Sequence, residues 1–176
     1  MANHNMIFAG FGGQGILFSG KVMAYAGLID GKEVSWLPSY GPEMRGGTAN
    51  CSVCISDEPV GYPQVTAPDV LVVMNGPSLD KFFDAVAPGG KVFVDSSLVQ
   101  CKDYKNDKGV TVYRIPATKL SKEEHLEGIA NMILLGKVLA ETRIASLETV
   151  EKALKKCVPA SKAHLLKENL RAVELG

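Results

Sequence analysis

Four glycines in six residues, Gly10-Phe-Gly-Gly-Gln-Gly15, stand between an uncharged apolar run and a segment of helical periodicity, and few folds accommodate that order. Ile7, Phe8 and Ala9 read as a short buried strand bounded at once by turn residues. The turn itself satisfies the spacing G-x-G-x-x-G. From Ile16 to Ile29 the pattern becomes helical. Leu17, Gly20, Ala24, Gly27 and Leu28 recur as a mostly small-residue face, which lets a helix lie close on a sheet. Strand, turn and helix in that order bring several backbone N–H groups and a helix N-terminus to one point. Such a point suits a phosphate or carboxylate, because the donors lack partners and the dipole favours negative charge. The same glycines serve equally for a tight turn with positive φ and close packing, with no ligand at all.

A dinucleotide site of this type also asks for an acidic residue about 20 positions on, at the end of the second strand, to hold a ribose. Here the second strand reads Glu33 to Leu37, followed by Pro38, Ser39, Tyr40 and Gly41, so Glu33 stands at the wrong end. That weakens an NAD reading. The strand–helix–strand unit implies a right-handed crossover and an adjacent parallel pair. The loop Pro38–Gly47 is then delivered to the same sheet edge as the glycine turn. Its prolines and glycines specify a fixed shape. Arg45 offers a planar fork for an anion, with Glu43 placed to hold it. Alternatively, Glu43 and Arg45 pair at a surface turn or reach across a subunit interface, where Tyr and Arg are favoured. The candidate binding residues are Gly10, Gly12, Gly13, Gln14 and Gly15 of the turn, with Ser39, Tyr40, Gly41, Glu43, Arg45 and Gly46 of the loop.

Further strands are expected at Thr48 to Ser56, antiparallel to its predecessor, and at Asp69 to Met74, Lys91 to Asp95 and Val110 to Ile115. Ser78 is expected to cap a short helix running to Val86. The last third reads as helical. Ser121 with Glu124 has the form of a capping box, and the run Leu126 to Leu139 is apolar on every face. Ser146 then caps a helix with Leu147, Val150 and Leu154 inward, and Ser161 opens another with Leu166, Leu170 and Val173. His4, His125 and His164 read as solvated. The whole describes one domain, 1–176: an α/β, Rossmann-like three-layer sandwich, mainly parallel with a mixed edge and C-terminal helices.

Composition narrows the function. Lys plus Arg and Asp plus Glu number 19 each, so nothing recommends a nucleic-acid backbone as partner. No stretch is apolar enough for a membrane span, and no signal segment precedes the glycine turn, which points to the cytoplasm. Cys51 and Cys54 have C-x-x-C spacing, but they fall in an alternating strand. Strand geometry sends them to opposite faces, which opposes a disulfide or a shared metal. No base–nucleophile pair, metal set or iron–sulfur motif stands out, so no catalytic or metal residue is assigned.

GFGGQG at 10–15, PSYGPEMRGGTAN at 38–50 and APDVLVVMNGPSLDKF at 67–82 together resemble the gamma subunit of 2-oxoacid:ferredoxin oxidoreductases, over essentially the whole chain. The closest resemblance is to gamma chains of 2-oxoglutarate or branched-chain 2-oxoacid enzymes. The resemblance implies a complex that decarboxylates a 2-oxoacid on thiamine diphosphate. Two electrons pass through iron–sulfur clusters to ferredoxin, and an acyl-CoA is released. It implies alpha, beta and ferredoxin-like partner subunits that carry the thiamine diphosphate and the clusters. To this chain it gives a role in assembly and in holding coenzyme A. Two other readings stay open at this point: a stand-alone dinucleotide-binding protein, and a purely structural subunit whose glycine turn touches only protein.

Overall fold

The structure, a computed structural model, describes residues 3–39, 48–100, 102 and 104–176. Its strands are β1 Asn3–Phe11, β2 Glu33–Ser39, β3 Thr48–Ser56, β4 Val70–Val73, β5 Lys91–Asp95 and β6 Thr111–Ile115. Its helices are α1 Ile16–Ile29, α2 Gly76–Phe82, α3 Ala117–Glu123, α4 Ala130–Thr142, α5 Leu147–Cys157 and α6 His164–Leu175. The strands form one sheet in the order β2-β3-β1-β4-β5-β6. The β1–β4, β4–β5 and β5–β6 pairs are parallel, whereas β3 runs antiparallel to both β1 and β2.

The expected α/β class and mixed edge are present, with one correction. β1 and β2 point the same way but are not neighbours, because β3 lies between them, with Ala9 and Ser39 both opposite Asn50. The loop after β2 is too short for a crossover, so β3 returns as a hairpin partner and takes the place beside β1.

Strand alternation divides the core in two. Met6, Phe8, Cys51, Val53, Val72 and Phe93 face a layer built of α1, α4, α5 and α6. Ile7, Ala9, Cys54, Leu71, Val73 and Val94 face a thinner layer of α2 and irregular segments around Val65, Val99 and Val110. β4, Val-Leu-Val-Val, is buried on both sides, as a central parallel strand requires. Cys51 and Cys54 therefore belong to opposite faces, and both are free thiols.

The helix starts depart from the sequence expectation more than the strands do. Asn75, not Ser78, caps α2: its side chain accepts from the Ser78 N–H at 2.8 Å. The Ser121–Glu124 capping box does not form. Ser121 is inside α3, where its hydroxyl donates to the Thr118 carbonyl, and α4 begins at Ala130. Ser146 does cap α5, accepting from the Thr149 N–H at 3.1 Å, but Leu147 faces solvent. Ser161 lies in a 3-10 turn, Ala160–Lys162, ahead of α6. His4 is not simply solvated, since its Nδ1 lies 3.2 Å from Asp69, which also accepts from the Asn5 N–H. Leu28 is exposed, so the packed face of α1 is carried by Ile16, Gly20, Met23 and Gly27.

The small residues of α1 set its distance from the sheet. A Cβ on Gly27 would stand 2.8 Å from Val34 Cγ2, and one on Gly20 would overlap Cys51 Sγ. Gly20→Val is expected to destabilise the fold by about 1–3 kcal/mol, as overpacking does. Adding Cys51→Ala in the same chain should return part of the loss. Urea unfolding midpoints at constant slope would check both.

Burial pushes the Cys51 thiol up from 9.0 to about 12. Between those values the unfolded chain releases a proton that the folded chain keeps. Cys51 therefore stabilises the fold fully below about pH 9 and loses that contribution as pH rises toward 12. Its share of the slope is about −1.4 kcal/mol per pH unit. Denaturant titrations from pH 8 to 11 should show that slope reduced in Cys51→Ala.

Candidate functional site

The carboxyl ends of β1 and β4 define the functional edge. From β1 the chain leaves through α1 on one face toward β2, and from β4 it leaves through α2 on the other face toward β5. Between strands whose connections part in this way, an open α/β sheet has a crevice, and ligands bind there.

The glycine turn lies at this crevice. Gly13 and Gly15 have φ of +91° and +76°, a region that side chains other than glycine rarely adopt. Gly15 is the N-cap of α1 in the left-handed conformation, with no side chain capping the helix. Ser19 is the first helix amide with a partner, bonding to the Gly15 carbonyl at 3.0 Å; among the described residues the amides of Ile16, Leu17 and Phe18 meet no acceptor. They are the orphan donors of a helix start, at the positive end of its dipole. A cavity of about 300 Å³ lies against them, lined by Phe11, Gly12, Gly13, Leu17, Phe18 and Ala49.

Gln14 faces the other way. Its Oε1 accepts from the Phe11 N–H at 2.6 Å, and its Nε2 donates to the Met74 carbonyl at 3.0 Å. The carboxamide thus bridges the ends of β1 and β4. Beyond it a cavity of about 190 Å³ is lined by Met74, Leu98, Thr118 and Lys122. The far wall is fixed by Asp95, wholly buried at the end of β5. Its carboxylate accepts from the Thr118 N–H and hydroxyl and from the Ser97 N–H.

Asn131, at the start of α4, was not singled out from the sequence. Its Nδ2 donates to the Gly15 carbonyl at 3.0 Å and to Ser19 Oγ at 3.1 Å. A Cβ on Gly15 would come within 2.5 Å of that nitrogen, so Gly15 serves close approach as well as φ. The available signal was a lone amide in the apolar run Ala130 to Leu135. Asn131 also lines a third cavity of about 390 Å³, with Phe18, Val158, Leu165 and Asn169.

Of the loop residues, Ser39 ends β2 and borders a cavity of about 360 Å³ with Pro38, Asn50, Ser52 and Lys81. Phe11 pairs with Thr48, so β3 begins beside the glycine turn. Tyr40, Gly41, Glu43, Arg45 and Gly46 lie outside the described residues. Glu33 pairs with Ser56 at the opposite end of the sheet from Ser39, so no carboxylate of β2 reaches the edge as a ribose ligand would require. Among the described residues no three His, Cys, Asp or Glu side chains converge as a metal site. No described helix is long and apolar enough to cross a membrane.

Comparison with known proteins places this geometry. The pyruvate ferredoxin/flavodoxin oxidoreductase family matches residues 5–176. The 2-oxoglutarate synthase subunit KorC of Methanocaldococcus jannaschii is 43% identical over 153 residues, which cover 86% of this chain and 81% of that relative. The crystal structure of the gamma subunit of a keto/oxoacid ferredoxin oxidoreductase from Geobacter sulfurreducens superposes with a TM-score of 0.80 at 30% identity, covering 98% of this chain and 95% of that one. The 2-oxoglutarate:ferredoxin oxidoreductase of Magnetococcus marinus, solved with 2-oxoglutarate, coenzyme A and succinyl-CoA bound, gives a TM-score of 0.82 at 28% identity. That match covers 99% of this chain, which spans 30% of the longer one. The chain belongs to the pyruvate ferredoxin/flavodoxin oxidoreductase family and is a gamma-type subunit of such an enzyme.

Proposed function

We propose that this chain is the non-catalytic gamma subunit of a cytoplasmic 2-oxoglutarate:ferredoxin oxidoreductase, and that its glycine-turn edge both joins the complex and holds an anionic group of coenzyme A. The observation that carries this reading is the uncapped start of α1: three amides without an acceptor among the described residues, facing a cavity of about 300 Å³. Those donors fit a phosphate, as helix N-termini do. The apolar walls from Phe11, Leu17 and Phe18 fit an uncharged portion of the same ligand.

Large apolar side chains stand exposed on the same edge. Phe11, Leu37 and Leu98 are 39%, 41% and 49% accessible. Apolar residues around a polar centre have the composition of a subunit contact. Arg45 precedes Thr48, the first residue of β3, by three positions in the sequence. It is proposed as the charged partner of the same anion, with Gly41, Glu43 and Gly46 shaping the loop. Thiamine diphosphate and the iron–sulfur clusters are assigned to the alpha, beta and ferredoxin-like partners on the strength of the family resemblance. The choice of 2-oxoglutarate draws on the similarity to the archaeal 2-oxoglutarate synthase subunit.

Purified alone and supplied with coenzyme A, thiamine diphosphate and 2-oxoglutarate, the chain is expected to reduce neither ferredoxin nor NAD. Turnover by that preparation would refute the non-catalytic assignment. In the native complex, Arg45→Ala should raise KM for coenzyme A about tenfold or more, the loss expected for a charge-assisted hydrogen bond. KM for the 2-oxoacid should stay as it was. Gly12→Val should lower activity by crowding the same cavity. If Arg45→Ala leaves both coenzyme A kinetics and co-purification of the partners unchanged, the edge has neither role.

A further inference from the structure

We propose that Gln14 determines which ligands the glycine turn admits: its carboxamide closes the crevice between β1 and β4 to a dinucleotide and leaves the outward face of the turn open. This goes beyond the coenzyme A reading and does not depend on it.

Where a dinucleotide binds an open α/β sheet, its pyrophosphate lies over the first glycine turn, at the crevice between strands of diverging connection. In this chain a side chain of the turn already lies there. Gln14 Oε1 takes the Phe11 N–H, a donor at the end of β1, and Nε2 engages the Met74 carbonyl at the end of β4. One neutral group with one acceptor and one donor satisfies both walls. The pyrophosphate linkage of a dinucleotide carries no proton at neutral pH and offers acceptors only, so it would pair with Phe11 and leave the Met74 carbonyl facing an anion.

Gly10 shows that the space is shaped for this side chain. A Cβ at position 10 would stand 2.6 Å from Gln14 Oε1 and 2.9 Å from Ile16 Cγ1. The first glycine of the motif therefore makes room for the chain's own carboxamide. What remains beyond Gln14 is the cavity of about 190 Å³ against Leu98 and Thr118. The acceptor-free amides of α1 open instead into the larger cavity beside Phe11 and Phe18. Gln14 thus divides the turn into a filled side and an open side. The G-x-G-x-x-G match in this chain therefore does not signal a dinucleotide in the crevice between β1 and β4.

The test uses the full chain titrated with NADH, followed by NADH fluorescence and calorimetry. Wild type and Gln14→Met, which keeps the crevice filled without hydrogen bonds, should bind NADH equally weakly. Gln14→Ala, which empties it, should bind at least about tenfold more tightly. Thermal melting establishes that each variant is folded, and Gln14→Ser replaces the alanine variant if that one is not. In wild type, the Gln14 carboxamide protons should also exchange with solvent more slowly than those of an exposed glutamine. The proposal is overturned if a folded Gln14→Ala or Gln14→Ser binds NADH no better than wild type. It is equally overturned if wild type binds as tightly as the emptied variants. Should neither small variant fold, free exchange of the carboxamide in wild type overturns it, and slowed exchange supports it.

Discussion

The close approach of α1 to the sheet is the constraint on which the rest of the structure depends. The helix lies across β1, β3 and β2 together. Gly20 and Gly27 let its backbone come down to the level of Cys51 and Val34, where any side chain would intervene. A helix seated that low has little freedom to tilt, because protein interiors are packed to near-crystalline density. Its N-terminus is therefore held at the sheet edge. Other elements lock it there. Thr149 of α5 donates to Asp30 at the helix C-terminus, and Asn131 of α4 holds the Gly15 carbonyl at the other end.

That seating gives the edge its two-sided character. On the inner side, backbone groups at the ends of β1 and β4 are satisfied by Gln14, and those after β5 and β6 converge on the buried Asp95 carboxylate. Hydrogen bonds of this kind, formed within the chain, tie the strand ends on this side to one another. On the outer side the first amides of α1 meet open space. Unpartnered donors are costly when buried and inexpensive when a ligand, a partner or water supplies the acceptor. A chain can therefore keep such donors at an open edge at little cost.

The thiols illustrate how strand geometry overrides a motif. Cys51-Ser-Val-Cys54 has a spacing seen in redox and metal sites, yet residues three apart in a strand point to opposite faces. Each thiol becomes a small core residue. Cys51 in particular is the surface on which Gly20 rests, and its burial holds it in the neutral form over the whole physiological range.

Local pattern in the sequence determined the element types. Alternation and uninterrupted apolar runs located β1, β3, β4 and β5, and the glycine turn fixed where α1 begins, because these signals depend only on neighbours along the chain. The resemblance carried by the glycine turn and the loop at 38–50 identified the family for the same reason. Local pattern was weaker at helix starts, where several residues nearby are chemically able to cap: Asn75 displaced Ser78, and Ser121 went inside α3. What only the tertiary structure decided was who stands beside whom. The sequence specified that β1 and β2 run the same way, but the insertion of β3 between them follows from a hairpin competing with a crossover for the same edge. The orientation of Gln14 was equally invisible, since its partner Met74 lies 60 residues away. So was the role of Asn131, whose contact with Gly15 spans 116 residues. Sequence spacing encodes contacts along one element. Contacts between elements exist only after the sheet has ordered them.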